Sequence, residues 1–112
     1  MTSFRTLGGA GPLSPLEQEI LKEIAEALGR SGERLERAIA SYCAIAAEAG
    51  ADPDPVQRRR LDAERREIRR AREALIIQRE ALGARTHDAV DRHYPLPFPE
   101  HELYAADDDC EP

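Results

Sequence analysis

The strongest constraint on the fold is an apolar stripe that repeats every three or four residues through residues 21–49. Its members are Leu21, Ile24, Leu28, Leu35, Ala38, Tyr42, Ile45 and Ala49, with Ser31 as the one polar position. Steps of three and four place side chains on one face of an α-helix, so the segment predicts one long amphipathic helix. A second row, formed by Ile20, Ala27, Ile39 and Ala46, widens this face and indicates more than one packing neighbour.

Both ends of this helix carry sequence signals. Ser14-Pro15-Leu16-Glu17 combines a capping hydroxyl, a proline at the first helical position and a carboxylate that reaches back to the cap. Gly50 supplies a helix terminator, which predicts a helix over residues 15–49. Gly29 and Gly32 weaken a helix by about 1 kcal/mol each relative to alanine. Because the stripe keeps its phase across them, we predict one continuous helix rather than two.

A second helix is predicted over residues 55–82. Asp54-Pro55-Val56-Gln57 repeats the start signal, and Gly83 follows the last apolar position. The apolar positions are Val56, Leu61, Ile68, Ala71, Leu75, Ile76, Ile77 and Leu82. Twelve of the sixteen residues in 58–73 are charged, so we expect this half to be largely solvated. A loop of only four or five residues joins the helices and forces them antiparallel.

The hairpin register follows from counting outward from this loop. It pairs Tyr42 with Leu61, Leu35 with Ile68 and Ala71, Leu28 with Leu75, and Leu21 with Leu82. The same register places Glu33 and Glu36 beside the arginines of residues 66–72. Surface pairs of this kind contribute about 0–1 kcal/mol each, which favours one register without holding the fold.

The chain ends predict less regular structure. Residues 1–13 lack periodicity and predict a flexible segment, and residues 107–112 are acidic and predict a frayed end. Thr86 is placed to cap a short third helix through residues 87–93, and the three prolines of residues 94–99 favour an extended chain. The nearby aromatic residues, Tyr94, Phe98 and Tyr104, should pack on the open end of the hairpin or on a partner protein.

These elements predict an all-α protein. A long antiparallel helical hairpin occupies residues 14–84, and residues 85–112 add the short helix and the extended tail. A chain of 112 residues with 4% aromatic content has little material for a core, and ordering costs on the order of 1.5 kcal/mol per residue. We therefore expect a second copy to cover the remaining apolar face, giving a homodimer and a four-helix bundle. The predicted interface residues are Leu21, Ile24, Leu28, Leu35, Ile39, Tyr42, Ile68, Leu75, Ile76 and Ile77.

The charge pattern suggests a further partner. Residues 55–85 carry ten basic and five acidic side chains, whereas residues 86–112 carry one basic and eight acidic ones. We predict that another macromolecule, a protein in the first instance, binds through Arg58, Arg59, Arg60, Tyr94, Phe98 and Tyr104. A nucleic-acid-binding regulator is the alternative, because an arginine-rich helix can lie along phosphates. Four acids interrupt the run, however, and the net charge of the chain is −6.

Enzymatic chemistry finds little support in the sequence. His87, Asp91, His93 and neighbouring residues suggest a small metal-binding protein as another alternative, but their spacing matches no established ligand pattern. Cys43, one residue off the apolar stripe, is predicted to be a small core or boundary residue. No phosphate-binding loop or dinucleotide motif is present, so we predict no catalytic residues, no metal site and no cofactor. The absence of a long apolar run and of paired cysteines favours a cytoplasmic protein with no membrane span.

Overall fold

The computed structural model describes residues 11–104, which contain three α-helices and a short 3-10 helix. The helices are α1 (Pro15–Ala49), α2 (Pro55–Ala81) and α3 (Asp88–His93), and the 3-10 helix is Glu100–Tyr104. The all-helical prediction is confirmed for this range, which contains no strand. No helix within it combines the length and the apolar character needed to cross a membrane. The predictions for residues 1–10 and 107–112 lie outside the described residues.

The start signals of both long helices act as predicted. Ser14 Oγ accepts a hydrogen bond from the Glu17 amide at 3.1 Å, and the Ser14 amide donates to the Glu17 carboxylate at 2.9 Å. Asp54 and Gln57 repeat this exchange at 2.8 and 2.9 Å. Each box satisfies two amides that the first helical turn leaves without partners, and a capping side chain contributes about 1 kcal/mol. α1 ends at Gly50, whose φ of +70° favours glycine.

α1 runs without a break through its two internal glycines, so the prediction of one continuous helix is confirmed. Gly29 is exposed, whereas Gly32 is buried beneath the ring of Tyr94. A Cβ atom on residue 32 would overlap the Tyr94 hydroxyl and lie 3.1 Å from its Cζ atom. Gly32 is therefore a contact point for another part of the chain rather than a helix break.

The hydrophobic core lies in the half of the hairpin nearest the turn. α1 contributes no buried residue before Gly32; its buried positions are Gly32, Leu35, Ala38, Tyr42 and Ile45. α2 adds Leu61, Ile68, Ala71 and Leu75. Val90 and Leu103, from the chain beyond the hairpin, complete the same cluster. The two long helices thus share their core with a third layer from the same chain.

That third layer is the C-terminal segment, defined here as residues 84–104. It runs back along the hairpin towards the turn, so that Tyr94 lies over Gly32 while the Phe98 ring packs edge-on against Tyr42 with 5.0 Å between the ring centroids. The sequence predicted this packing at the open end of the hairpin, but the structure places it beside the core. An extended proline-containing chain rises about 3 Å per residue, which carries Phe98 towards the turn.

One further local prediction is corrected, and one contact between the long helices is new. α3 begins at Asp88, so His87 and not Thr86 occupies the N-cap position. The His87 side chain makes no capping hydrogen bond. Between the long helices, Arg34 of α1 binds Glu67 of α2 through Nε at 2.8 Å and Nη2 at 3.2 Å. This pair, in which α1 supplies the base and α2 the acid, was not predicted from the sequence. Its two parallel hydrogen bonds fix the helix register more precisely than one contact would.

Replacing Gly32 and Gly29 by alanine should have opposite effects on stability. Gly29→Ala should stabilise the fold by about 0.5–1 kcal/mol, because alanine favours a helix and no atom lies within 4 Å of the added Cβ. Gly32→Ala gains the same propensity but displaces the Tyr94 ring, at a cost of about 1–3 kcal/mol for overpacking. Urea denaturation of the two variants checks this, and equal stabilisation would contradict the Tyr94 contact.

The Arg34–Glu67 pair should make stability depend on pH in the acid range. Hydrogen bonds from Arg34 hold the pKa of Glu67 below its usual 4.5, so the contribution is fully present above that value and is lost as the pH falls through the lowered one. Because both side chains are about a third or more exposed, we expect only about 0–1 kcal/mol.

Urea titrations of wild type and Glu67→Gln, from neutral pH to about pH 3, measure this contribution. Their difference in stability should shrink as the solution is acidified. Glu73→Gln, at an exposed position of the same helix, is the matched control. A Glu67→Gln effect that persists unchanged in acid would show that the carboxylate charge contributes nothing.

Candidate interaction surfaces

Four arginines of α2 form a continuous line that we call the arginine stripe: Arg65, Arg69, Arg72 and Arg79. Their spacings of four, three and seven residues place them on one face of the helix. Each contacts the C-terminal segment, through Glu102, the Tyr104 ring, Asp91 and the Thr86 carbonyl in that order. The stripe therefore binds a segment of its own chain.

Arg65 is the most extensively engaged member of the stripe. Only 16% of its side chain is exposed. It donates to the Asp62 carboxylate at 2.6 Å and to the Tyr42 hydroxyl at 3.3 Å, and it lies 3.7 Å from a Glu102 oxygen. Its guanidinium carbon is also 5.5 Å from the ring centroid of Tyr42 and 5.6 Å from that of Phe98. Arg65 thus joins α1, α2 and the C-terminal segment through one side chain.

The other three members hold successive parts of the C-terminal segment. Arg72, 12% exposed, donates to Asp91 of α3 at 2.9 Å. Arg79 donates to the Thr86 carbonyl at 3.2 Å. The Arg69 guanidinium carbon is 5.7 Å from the ring centroid of Tyr104. Carboxylates, a carbonyl and aromatic faces are the groups that arginine binds best, because its charge is delocalised over a planar fork.

The fit of the C-terminal segment to the stripe is incomplete. The Nε atoms of Arg65, Arg72 and Arg79 are buried without a hydrogen-bond partner. A buried donor left unsatisfied costs about 1–3 kcal/mol, more for a charged group. A depression of about 290 Å³, lined in part by Leu28, Leu75 and Val90, also remains between α3 and the hairpin.

The arginines nearest the turn have a different environment. Arg58, Arg59 and Arg60 are all exposed. Arg58 lies 3.8 Å from Asp52, and Arg60 lies 3.8 Å from Glu48, with more than half of each arginine side chain exposed. Such pairs are weakened by solvent and salt. The sequence predicts that this half of α2 is largely solvated, but the structure divides its arginines between an internal stripe and this exposed group.

A second surface lies at the open end of the hairpin, and we call it the open-end surface. It comprises Leu16, Ile20, Ile24 and Ala27 of α1, together with Gln78 of α2 and Leu82 just beyond it. None of these residues is buried, and Leu16 is 70% exposed. Five residues, Ile24, Ala27, Leu28, Gln78 and Leu82, line a shallow apolar depression of about 160 Å³. No residue of the C-terminal segment lines it.

The predicted interface and partner-binding residues fall into three environments. Leu35, Tyr42, Ile68 and Leu75 are buried in the core of the single chain. Half-buried positions are Leu21, Ile24, Leu28, Ile39, Ile76, Tyr94 and Phe98. Ile77 and Tyr104 remain exposed, at 63% and 49%. A second copy therefore cannot reach the four core residues, although the half-buried positions and Ile77 stay accessible. Tyr94 and Phe98 are partly covered by the hairpin.

The titratable side chains of the C-terminal segment are dispersed. His87 Nε2 lies 3.1 Å from a Glu80 carboxylate oxygen. Within residues 11–104, no three histidine, cysteine, aspartate or glutamate side chains converge as metal ligands would. Cys43 is exposed on α1, not in the core or at its boundary as predicted. The side chains with the most extensive contacts are thus the arginines of the stripe.

Comparison of the chain with protein-family models, with curated proteins and with solved structures found no match in any of the three. The two surfaces therefore have to be interpreted from their own chemistry.

Arg65→Gln should loosen the end of the C-terminal segment. It removes the charge that contacts Asp62 and Glu102 and the cation that stacks on two rings, so we expect a loss of about 1–3 kcal/mol. Urea denaturation measures the loss, and faster amide hydrogen exchange at buried Leu103 locates it. Arg59→Gln, at an exposed position of the same helix, should change stability by less than about 0.5 kcal/mol. Equal effects of the two substitutions would contradict the role of Arg65.

Proposed function

We propose that this chain is a non-enzymatic helical interaction protein that self-associates through its open-end surface. A homodimer of two hairpins forms a four-helix bundle in this proposal. The observation that carries it is the uneven covering of α1: its second half is buried beneath α2 and the C-terminal segment, whereas its first half presents Leu16, Ile20 and Ile24 without burying any of them.

The size of the open-end surface supports this assembly. Residues 15–31 of α1 extend about 25 Å, and a pair of helices is about 20 Å wide, which gives a face of about 500 Å² in projection. Side-chain relief raises the accessible area towards the roughly 800 Å² that each partner buries in a stable interface. Burying a leucine or isoleucine fully contributes about 1.5–3 kcal/mol.

We favour a second copy of the chain as the occupant, because an apolar surface is complementary to another copy of itself. A two-fold axis brings the same apolar residues of two chains together, so one surface supplies both halves of the contact. Leu16 and Ile20 of one hairpin then contact the equivalent positions of the other. Exposed acids beside them, Glu19 and Glu23, remain at the rim, where they stay hydrated.

Binding of a second macromolecule is the other half of this proposal. The exposed group Arg58–Arg60 and exposed Tyr104 remain available for it. Nucleic acid has less support as that macromolecule, since the four arginines of the stripe contact the chain's own carboxylates, carbonyl and rings. Phosphates would have to replace those contacts before they could use the whole helix.

Replacing Leu16 and Ile20 by glutamate should dissociate the dimer. These positions are not buried in the single chain, so the fold should survive, and circular dichroism checks that it does. Two charges placed in each half of the interface should raise the dissociation constant on the order of a hundredfold, as about 3 kcal/mol would. Sedimentation velocity of the full chain over micromolar concentrations measures the change.

Val56→Glu is the matched control, since Val56 is 56% exposed but lies at the turn end of the hairpin. This variant should remain dimeric. Ile77→Glu tests whether the dimer forms instead through the outer face of α2. Ile77 lies about half a turn around the helix from Ile68 and so faces away from the core. A wild-type monomer at tens of micromolar, or dissociation by Ile77→Glu alone, would contradict the proposed surface.

A further inference from the structure

We propose that the arginine stripe is a recognition groove for an acidic, aromatic segment of a partner protein, and that the C-terminal segment occupies this groove until the partner displaces it. The inference rests on the proposed role as an interaction protein and names the chemistry of its partner. It concerns a different face from the open-end surface, so the two can be tested separately.

The occupant that is already present indicates what the groove recognises. Carboxylates of Asp91 and Glu102 contact Arg72 and Arg65, at 2.9 and 3.7 Å. Between them, the Phe98 ring packs against Tyr42 and beneath Arg65. A ligand for this groove therefore carries carboxylates eleven residues apart, with aromatic rings between and beyond them. Charge complementarity selects such a segment over a neutral or basic one.

The C-terminal segment leaves part of the groove unused. Three of the four guanidinium groups keep a buried Nε–H that the segment does not reach, on Arg65, Arg72 and Arg79. A carboxylate that binds an arginine through both Nε and Nη satisfies this donor, as Glu67 does for Arg34 in the same molecule. A partner whose carboxylates are placed in this way can therefore bind more tightly than the segment it replaces.

The C-terminal segment also has little regular structure to hold it in place. α3 has six residues and no side-chain cap, and the 3-10 helix has five residues. Helices this short are not stable on their own, so the segment stays ordered through its contacts with the hairpin. The depression of about 290 Å³ beside α3 shows that those contacts are not closely packed throughout. Because Val90 and Leu103 belong to the buried cluster, a partner that displaces the segment has to cover the long helices in their place.

The short connection to α2 sets how strongly the C-terminal segment competes with a free peptide for the groove. A short linker presents its segment at an effective concentration of the order of 1 mM. If a free peptide binds the groove with a dissociation constant of the order of 100 µM, the tethered copy weakens its apparent affinity about tenfold. Removing Tyr94 and Phe98, the aromatic anchors of the tethered segment, should therefore raise the apparent affinity of the free peptide about tenfold.

The test uses the full chain and two fluorescein-labelled peptides. One peptide has the sequence of residues 86–104. The other has an unrelated sequence with acidic residues at the positions of Asp91 and Glu102 and aromatic residues at those of Tyr94 and Phe98. The proteins are wild type, Tyr94→Ala/Phe98→Ala, which loses both aromatic anchors, and this variant with Arg72→Gln added. Fluorescence anisotropy measures binding, and circular dichroism confirms that the helices remain.

We expect both peptides to bind the double variant about tenfold more tightly than wild type, and Arg72→Gln to abolish the gain. Three outcomes would overturn the inference: no gain in the double variant, binding of the chain's own sequence alone, or tighter binding of a single-stranded oligonucleotide than of either peptide. The second outcome would make the groove a structural site, and the third would favour nucleic acid.

A second measurement covers the case in which the double variant does not fold. In wild-type protein, the unrelated peptide should shift the NMR signals of Tyr94 and Phe98 towards those of an unfolded chain while leaving the methyl signals of Leu16, at the open end of α1, in place. Unchanged Tyr94 and Phe98 signals at saturating peptide would overturn the inference. The Leu16→Glu/Ile20→Glu variant should bind the peptides as wild type does, so loss of the dimer and loss of peptide binding are distinguishable.

Discussion

Packing of the C-terminal segment against the hairpin is the interaction on which the rest of the structure depends. Two helices alone bury only the seam between them, and a seam of this length leaves the outer flank of each helix in water. Val90 and Leu103 fill that flank beside Ile68 and Leu75, and they make the buried cluster a three-layer core. The C-terminal segment thus supplies part of the covering that the two long helices require.

Ion pairs, hydrogen bonds and aromatic contacts together hold the C-terminal segment on the hairpin. The arginine stripe contacts the segment at intervals along α2, and the Tyr94 and Phe98 rings sit against Gly32 and Tyr42. Individually, such contacts contribute little, because most of these side chains keep some access to solvent. Together these contacts fix one path for the C-terminal segment, whose backbone alone does not favour a single conformation.

The sequence predicted the parts of this fold that depend on local chemistry. Both capping boxes, the continuity of α1 and the antiparallel hairpin follow from hydrogen-bonding groups and apolar residues at short spacings, which act in the same way wherever they occur. The path of the C-terminal segment depends on contacts between residues far apart in the chain, such as Gly32 with Tyr94, and no local pattern encodes these.

One signal for the arginine stripe was nevertheless present in the sequence. Arg65, Arg69 and Arg72 share the three-and-four spacing of an amphipathic face, and an acidic, aromatic segment follows them in the chain. Charge composition alone does not reveal this pattern, because the helix divides its arginines between two faces. The open-end surface was harder to locate, since Leu16 and Ile20 have the same apolar character as the residues that the core does bury.

The position of the core within α1 has a consequence for how order is distributed along one helix. Amide hydrogens near Leu35 and Tyr42 can exchange with solvent only when three layers separate, whereas those near Ile20 and Ile24 need only a fraying of the uncovered end. The same 35-residue helix therefore joins a protected half to a half whose protection depends on local fraying. Covering the first half would also suppress this fraying, so part of the free energy of such a contact goes into ordering the helix end.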